Sequence, residues 1–266
     1  MERVRVVRET DIIYATPGGS PLRMDISRQE HVTDAPILLL VHGGGWCSGS
    51  RADMAAAAQR LARAGFIAAN IEYRLAPAHP FPAAFDDLCA AADWLRTHAA
   101  RFGGNAARLG AFGVSAGGHL VALLATRNVG PLTCAVSWGG PMDLLHAPVT
   151  APYRGYALAF LAACPHEDPT RYAAASPIAN ISASTPPLLL IYGSQDDVVP
   201  PAQGEHMAAA AVARHAPVTL LPLAGAGHAP GDPREPVMAF AWEQLTEFLQ
   251  AHLPTRGAYV GSGIGC

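Results

Sequence analysis

Residues 108–125 read RLGAFGVSAGGHLVALLA, and this stretch decides the fold. Its first part, Arg108–Val114, is a short apolar run suited to a strand buried on both faces. Its last part, His119–Ala125, is rich in good helix formers. Between them stands Gly113-Val114-Ser115-Ala116-Gly117, a serine flanked by two glycines. Glycine permits the tight turn from strand into helix that pushes such a serine hydroxyl out at the end of the sheet. The positive end of the helix dipole then lies beside it. Ser115 is the candidate nucleophile; the plain alternative for so short a pattern is an ordinary glycine-rich turn.

Outward from this point the same rhythm repeats. Pro36–Val41, Phe66–Tyr73, Cys134–Trp138, Leu188–Tyr192 and Val218–Leu223 are near-continuous apolar runs of strand length. Helical spacing of apolar residues marks Phe85–Arg96, Pro201–Arg214 and Glu235–Leu253. Alternating strands and helices predict a single α/β domain over residues 1–255, with a mostly parallel central sheet and helices on both faces. Val4–Arg8, Asp11–Thr16 and Leu22–Ser27 alternate in short runs and predict an antiparallel meander at the sheet edge. Residues 142–187 separate two strands by far more than a usual connection and are read as a small lid or cap insertion. Residues 256–266, rich in glycine, are expected to form a flexible C-terminal tail.

Composition narrows the function. The 266 residues are 50% hydrophobic and 15% charged, enough apolar material for a large core and too much for a disordered chain. Net charge is −3 and no Lys/Arg run occurs, so no nucleic-acid surface is expected. No apolar stretch approaches the roughly 20 residues of a membrane span, and MERVRVVRE lacks a signal-peptide core. The five cysteines, Cys47, Cys89, Cys134, Cys164 and Cys266, are scattered without CxxC or zinc-like spacing. A cytoplasmic protein without membrane contact, bound metal or cofactor is expected.

Other segments complete a constellation around Ser115. His42-Gly43-Gly44-Gly45-Trp46 follows a core strand, and its glycines let backbone N–H groups approach a developing oxyanion. Gly44, Gly45 and Ala116 are the candidate donors, while His42, ahead of the glycines, is given a structural role. After the run Leu188–Tyr192 comes Gly193–Pro200 (GSQDDVVP), and after the last strand comes Gly225–Ala229 (GAGHA). These place a carboxylate, Asp196 or Asp197, and then His228 in the chain order nucleophile, acid, base.

Together, His42–Trp46 (HGGGW), Tyr73–Ala83 (YRLAPAHPFPA), Gly113–Leu120 (GVSAGGHL), Ser176-Pro177 and Gly193–Pro200 resemble the α/β-hydrolase carboxylesterases of the hormone-sensitive-lipase and BD-FAE (feruloyl-esterase-like) type. The resemblance implies an α/β-hydrolase fold, a Ser115–Asp196–His228 triad with Asp196 as the acid, and hydrolysis of small to medium acyl esters. Val114 and His119 stand where hormone-sensitive-lipase relatives typically carry Asp and Asn, and the long N-terminal cap of those relatives is missing. Both departures point toward the BD-FAE-like group.

Trp46, Trp138, Met142 and Phe160, with Leu144 and Tyr156, are candidates for an apolar substrate pocket; core packing explains them equally well. Asp86 and Asp87 are expected to cap or pair near Arg74, Glu72 to pair with Arg74, and His119 to stand behind the nucleophile. The expected partner is a small-molecule ester, and a homodimer is compatible with the sequence. The same triad also serves arylformamidase-like amidases and acyltransferases or cyclases, and some hydrolase-like receptors only bind ligands.

Overall fold

The computed structural model describes residues 4–130, 132–147 and 150–255. The tail expected over 256–266, Cys266 included, lies outside the described residues. In chain order the elements are β1 (Val6–Ala15), β2 (Leu22–Gln29), β3 (Ala35–Val41), α1 (Ala55–Arg63), β4 (Ile67–Ile71), α2 (Ala83–His98), β5 (Gly104–Val114) and α3 (Ala116–Arg127). They continue with β6 (Ala135–Trp138), α4 (Arg154–Leu161), α5 (Pro169–Ala175), α6 (Pro177–Asn180), β7 (Leu188–Gly193), α7 (Ala202–Ala213), β8 (Val218–Leu223) and α8 (Pro236–His252).

Among the described residues these strands form one sheet in the order β1-β2-β4-β3-β5-β6-β7-β8. β1 and β2 pair antiparallel, as do β2 and β4, and every pairing from β4 through β8 is parallel. The apolar runs are explained by burial on both faces. Ile37, Leu39 and Val41 of β3 enter one core cluster, whereas Leu38 and Leu40 enter the other. In β7, Leu188, Leu190 and Tyr192 face one way and Leu189 and Ile191 the other. Helices α2, α3 and α7 supply the first cluster and α1 and α8 the second, so helices cover both faces of the sheet.

Two local features depart from the sequence-based expectation. The first two of the three runs expected at the N-terminus, Val4–Arg8 and Asp11–Thr16, are one strand, β1, with an irregular register between Glu9 and Ile12. Asp11 takes φ 60° there, and its amide donates to the buried Asp25 carboxylate at 2.9 Å. Helix α1 was not anticipated, although its buried Ala58, Leu61 and Ala62 stand at helical i, i+3, i+4 spacing. The cap lies one turn earlier, on the 3-10 turn Arg51–Met54 that leads into α1, where Asp53 accepts from the Ser50 amide at 2.9 Å. Residues 142–187 hold α4, α5 and α6, whose Phe160, Leu161, Tyr172 and Ala175 are buried in the first cluster.

Two glycine substitutions separate steric need from mere tolerance. A Cβ on Gly117 would overlap the carbonyl oxygens of Val41 and His42, both backbone atoms that cannot swing away. Gly155, exposed within α4, has nothing within 4 Å of the same added carbon. Gly117→Ala is expected to destabilise by on the order of 2–3 kcal/mol, whereas Gly155→Ala is expected to stabilise by roughly 0.5–1 kcal/mol. Urea unfolding of the two variants beside the parent checks both signs.

Candidate active site

Every loop that bears a candidate group leaves the C-terminal end of a parallel strand. Crossover connections in an open α/β sheet bring these ends to one crevice. Ser115 caps α3 at φ 55° and ψ −122°, a conformation that L residues hold only under constraint. Its amide donates to Trp138 O at 2.7 Å and its carbonyl accepts from the His119 amide at 2.9 Å. The flanking glycines are required by space, since a Cβ on Gly113 would overlap the Gly117 backbone.

The structure brings Ser115, His228 and Asp196 into one line. His228 Nε2 lies 2.8 Å from Ser115 Oγ, and His228 Nδ1 lies 2.8 Å from Asp196 Oδ2. A carboxylate can only accept, so Nδ1 carries the hydrogen and Nε2 is left to accept from the serine hydroxyl. The other Asp196 oxygen accepts from the Val198 and Val199 amides at 2.9 and 2.8 Å, which fixes the carboxyl rotation. Asp196 is buried, whereas Asp197 is exposed. The loops after β7 and β8 touch closely: a Cβ on Gly193 would overlap the carbonyls of Ala226 and Gly227.

The glycine loop folds back over Ser115. Gly44, Gly45 and Trp46 carry successive positive φ values of 104°, 58° and 61°, and a Cβ on Gly43 would lie 3.1 Å from Ser115 Cβ. The turn is closed by the Cys47 and Ser48 amides donating to Gly44 O at 3.1 and 3.0 Å. Among the described residues no hydrogen bond engages the N–H of Gly44, Gly45 or Ala116. Those amides have donor capacity to spare beside the serine.

His42 and His119, which the motifs also contain, are buried fixtures. His42 stacks on Tyr73 with ring centroids 4.3 Å apart, and its Nδ1 meets Gly43 O at 2.7 Å. Burial pushes its basicity below the ordinary histidine value. His119 lies wholly inside, and burial pushes its pKa down to about 4. Its Nε2–H donates to Ala175 O at 2.7 Å while Nδ1 accepts from the Trp46 indole at 3.1 Å.

The four apolar residues expected to line a pocket are core residues. Trp46, Trp138, Met142 and Phe160 are all at most 1% exposed. Trp46 and Phe160 stack on each other at 4.8 Å, and Trp138 packs against Trp242 in the cluster on the α1/α8 face of the sheet. Tyr156 instead is 52% exposed, with its ring against Gly45, where an added Cβ would lie 2.7 Å from Tyr156 Cγ. A cavity of about 510 Å³ lies behind the elbow, with Gly43, Val114, Ala229 and Trp242 among its walls. These residues include immediate chain neighbours of Gly44, Ser115 and His228. No signal in the sequence marked that cavity, because it forms between α1 and α8, which are distant in the chain. Asp87 clasps Arg74 as expected, with Arg74 Nη2 to Asp87 Oδ1 at 2.8 Å, but Glu72 pairs with Arg51, not Arg74.

The parallel sheet with an antiparallel edge, the elbow, and the acid and histidine loops after successive strands define an α/β-hydrolase fold. Solved structures agree in fold: a truncated carbohydrate esterase from gut microbiota superposes with TM-score 0.79 at 23% identity, covering 92% of this chain and 96% of that one. A bacterial heroin esterase gives 0.80 at 23% identity, covering 95% and 85%. The BD-FAE family model matches residues 24–210, and the chain belongs to that family. Esterase LipC of Mycobacterium tuberculosis is 32% identical over 246 residues, covering 84% of this chain and 60% of LipC. Esterase LipQ of the same organism is 30% identical over 227 residues, covering 77% and 53%. The chain thus spans little more than half the length of these curated relatives. Among the described residues no helix is long and apolar enough to cross a membrane, and no His/Cys/Asp/Glu group could hold a metal ion.

The burial of His119 has a consequence for stability. Its folded pKa of about 4 lies below the ordinary histidine value of 6.5, so between those values the unfolded chain binds a proton that the folded one refuses. Stability from this group is complete above the upper value and is lost as pH falls toward the lower. His42 shifts in the same direction. Urea unfolding is expected to lose up to about 3 kcal/mol from this one group across that window. His119→Asn should flatten the slope there, and an unchanged slope would contradict the assignment.

Proposed function

We propose that the chain is a serine carboxylesterase that cleaves esters of small to medium acyl chains through an acyl-enzyme. The observation that carries the proposal is the continuous line from Ser115 Oγ through His228 to Asp196, with both links at 2.8 Å. A serine hydroxyl is a poor nucleophile until an adjacent base accepts its proton, and a base needs a third group to hold its tautomer. Both requirements are met by atoms in contact. Membership in a family whose relatives include proteins named esterase supports the same chemistry.

In the first half-reaction Ser115 Oγ attacks the ester carbonyl and its proton passes to His228 Nε2. The carbonyl π electrons move onto oxygen, and the N–H groups of Gly44, Gly45 and Ala116 receive that oxyanion. Each such donor is worth on the order of 3 kcal/mol. Collapse breaks the bond to the alcohol oxygen, which leaves with the proton from His228. Asp196 stabilises the transient imidazolium without taking its proton. Water then repeats the sequence on the acyl-enzyme, giving the carboxylic acid and free Ser115. No step calls for a metal or an organic cofactor. Residues 142–187 serve as a lid at the mouth, presenting Tyr156 beside the oxyanion loop. The unpaired Cys47, Cys89, Cys134 and Cys164 suit a reducing, cytoplasmic setting.

Turnover of p-nitrophenyl acetate, butyrate, octanoate and laurate tests the proposal. Activity is expected to peak at the shorter chains and to vanish in Ser115→Ala. Asp196→Asn should lower kcat by on the order of 10³–10⁴, while Asp197→Asn stays within about threefold of the parent. No turnover of any ester by folded protein, with activity on an N-formyl anilide or on acyl transfer to an added alcohol, would replace ester hydrolysis by those chemistries.

A further inference from the structure

Trp46 is the only residue besides glycine in the left-handed stretch of the loop that follows β3. Its φ of 61° follows Gly44 at 104° and Gly45 at 58°. Two glycines have almost no preference for one conformation over its neighbours. A bulky side chain at positive φ, by contrast, is held there only when its surroundings over-determine it. The Cys47 and Ser48 amides on Gly44 O and the Ala76 amide on Trp46 O hold the loop's main chain, and the grip on the Trp46 side chain adds to them at the one position where positive φ is disfavoured.

Two contacts grip it. The indole stacks on Phe160 of α4 with centroids 4.8 Å apart and planes 13° from parallel. Its Nε1–H donates to His119 Nδ1 at 3.1 Å, with the imidazole edge-on to the indole at 88°. His119 belongs to α3, and its own amide donates to the Ser115 carbonyl at 2.9 Å. The other ring nitrogen, Nε2–H, donates to Ala175 O, the last carbonyl of α5, at 2.7 Å. That carbonyl has no partner inside its own helix. One neutral imidazole thus ties three segments together: the glycine loop, the nucleophile helix and the 142–187 insertion.

We propose that His119 is a positioning residue for ester hydrolysis, holding the Gly44 and Gly45 amides in register with Ser115 through the Trp46 indole. This rests on the serine-esterase function proposed above. The acceptor at Nδ1 matters more than the bulk of the ring. Without it the Trp46 N–H would be buried and unpaired, and that cost would be relieved by moving the loop. The His119 and Trp46 side chains are buried away from solvent, so they act through the loop and not by touching substrate.

The test compares His119→Leu, His119→Asn and Trp46→Phe with the parent. Kinetics on p-nitrophenyl butyrate are normalised to active sites titrated with a phosphonate, so that unfolded protein does not count. His119→Leu is expected to lower kcat by on the order of 10- to 100-fold with KM within about threefold. Affinity for a trifluoromethyl ketone, whose hemiketal with Ser115 presents its oxyanion to the same donors, should fall in step with kcat/KM. His119→Asn places an acceptor near the position of Nδ1 and is expected to recover most of the loss. Trp46→Phe keeps the stack but deletes the donor, and its effect should be non-additive with His119→Leu because both remove one bond. If His119→Leu does not fold, Trp46→Phe decides. Full per-site kcat in the folded variants, a change in KM alone, or no recovery in His119→Asn would overturn the proposal. Absence of turnover in the parent would instead overturn the esterase function itself.

Discussion

The closeness with which α3 leaves β5 is the constraint on which the rest of the site depends. The backbone at Gly117 lies against the carbonyls of Val41 and His42, at the end of the neighbouring strand β3. Any side chain there would push the helix off the sheet and carry the serine with it. Because the approach is so tight, Ser115 has no room to relax from φ 55°, and its hydroxyl is fixed at the edge of the sheet. The strain is held by the Ser115 amide on Trp138 O and by packing of α3, whose residues 116–126 are all buried.

Once the serine is fixed, the other loops need only arrive from neighbouring strands in parallel register. β3 delivers the glycine loop, β7 the carboxylate and β8 the histidine, all at the same end of the sheet. Burying Asp196 would be costly alone, but its oxygens accept two backbone amides and the His228 N–H, so its charge is satisfied on both sides. Contact between Gly193 and the carbonyls of Ala226 and Gly227 keeps the two loops from drifting apart. The positions of the acid and the histidine are therefore set by main-chain packing more than by long side chains reaching inward. That arrangement pre-organises a site at little conformational cost.

Much of this was legible in the sequence for physical reasons. Apolar runs such as Pro36–Val41 announce strands buried on both faces, and the alternation of Ile37, Leu39 and Val41 against Leu38 and Leu40 shows why no polar residue interrupts them. The glycines at 113 and 117 were readable because their need is steric and local. Helix α1 was passed over although its pattern was present: Ala58, Leu61 and Ala62 form a narrow apolar stripe opposite Gln59, Arg60 and Arg63, but a stripe built mostly of alanine gives weak contrast. Nor could the run break near Asp11 be recognised as a bulge, because the buried Asp25 that stabilises it is supplied by another strand. Trp46, Met142 and Phe160 illustrate a further limit. An aromatic or Met near a catalytic motif in sequence can face the core as easily as the crevice, and composition does not say which. Here the loop turns the indole of Trp46 inward to His119 while leaving Tyr156 outside.

In the proposed mechanism Ser115 is the one residue that this geometry makes nucleophilic. Labelling the intact protein with a fluorophosphonate and mapping the adduct by peptide mass spectrometry tests it most directly. One adduct per chain is expected, on the peptide containing Ser115, and none in Ser115→Ala or after unfolding in urea. Labelling that survives in Ser115→Ala, or folded parent protein that takes up no label, would contradict it.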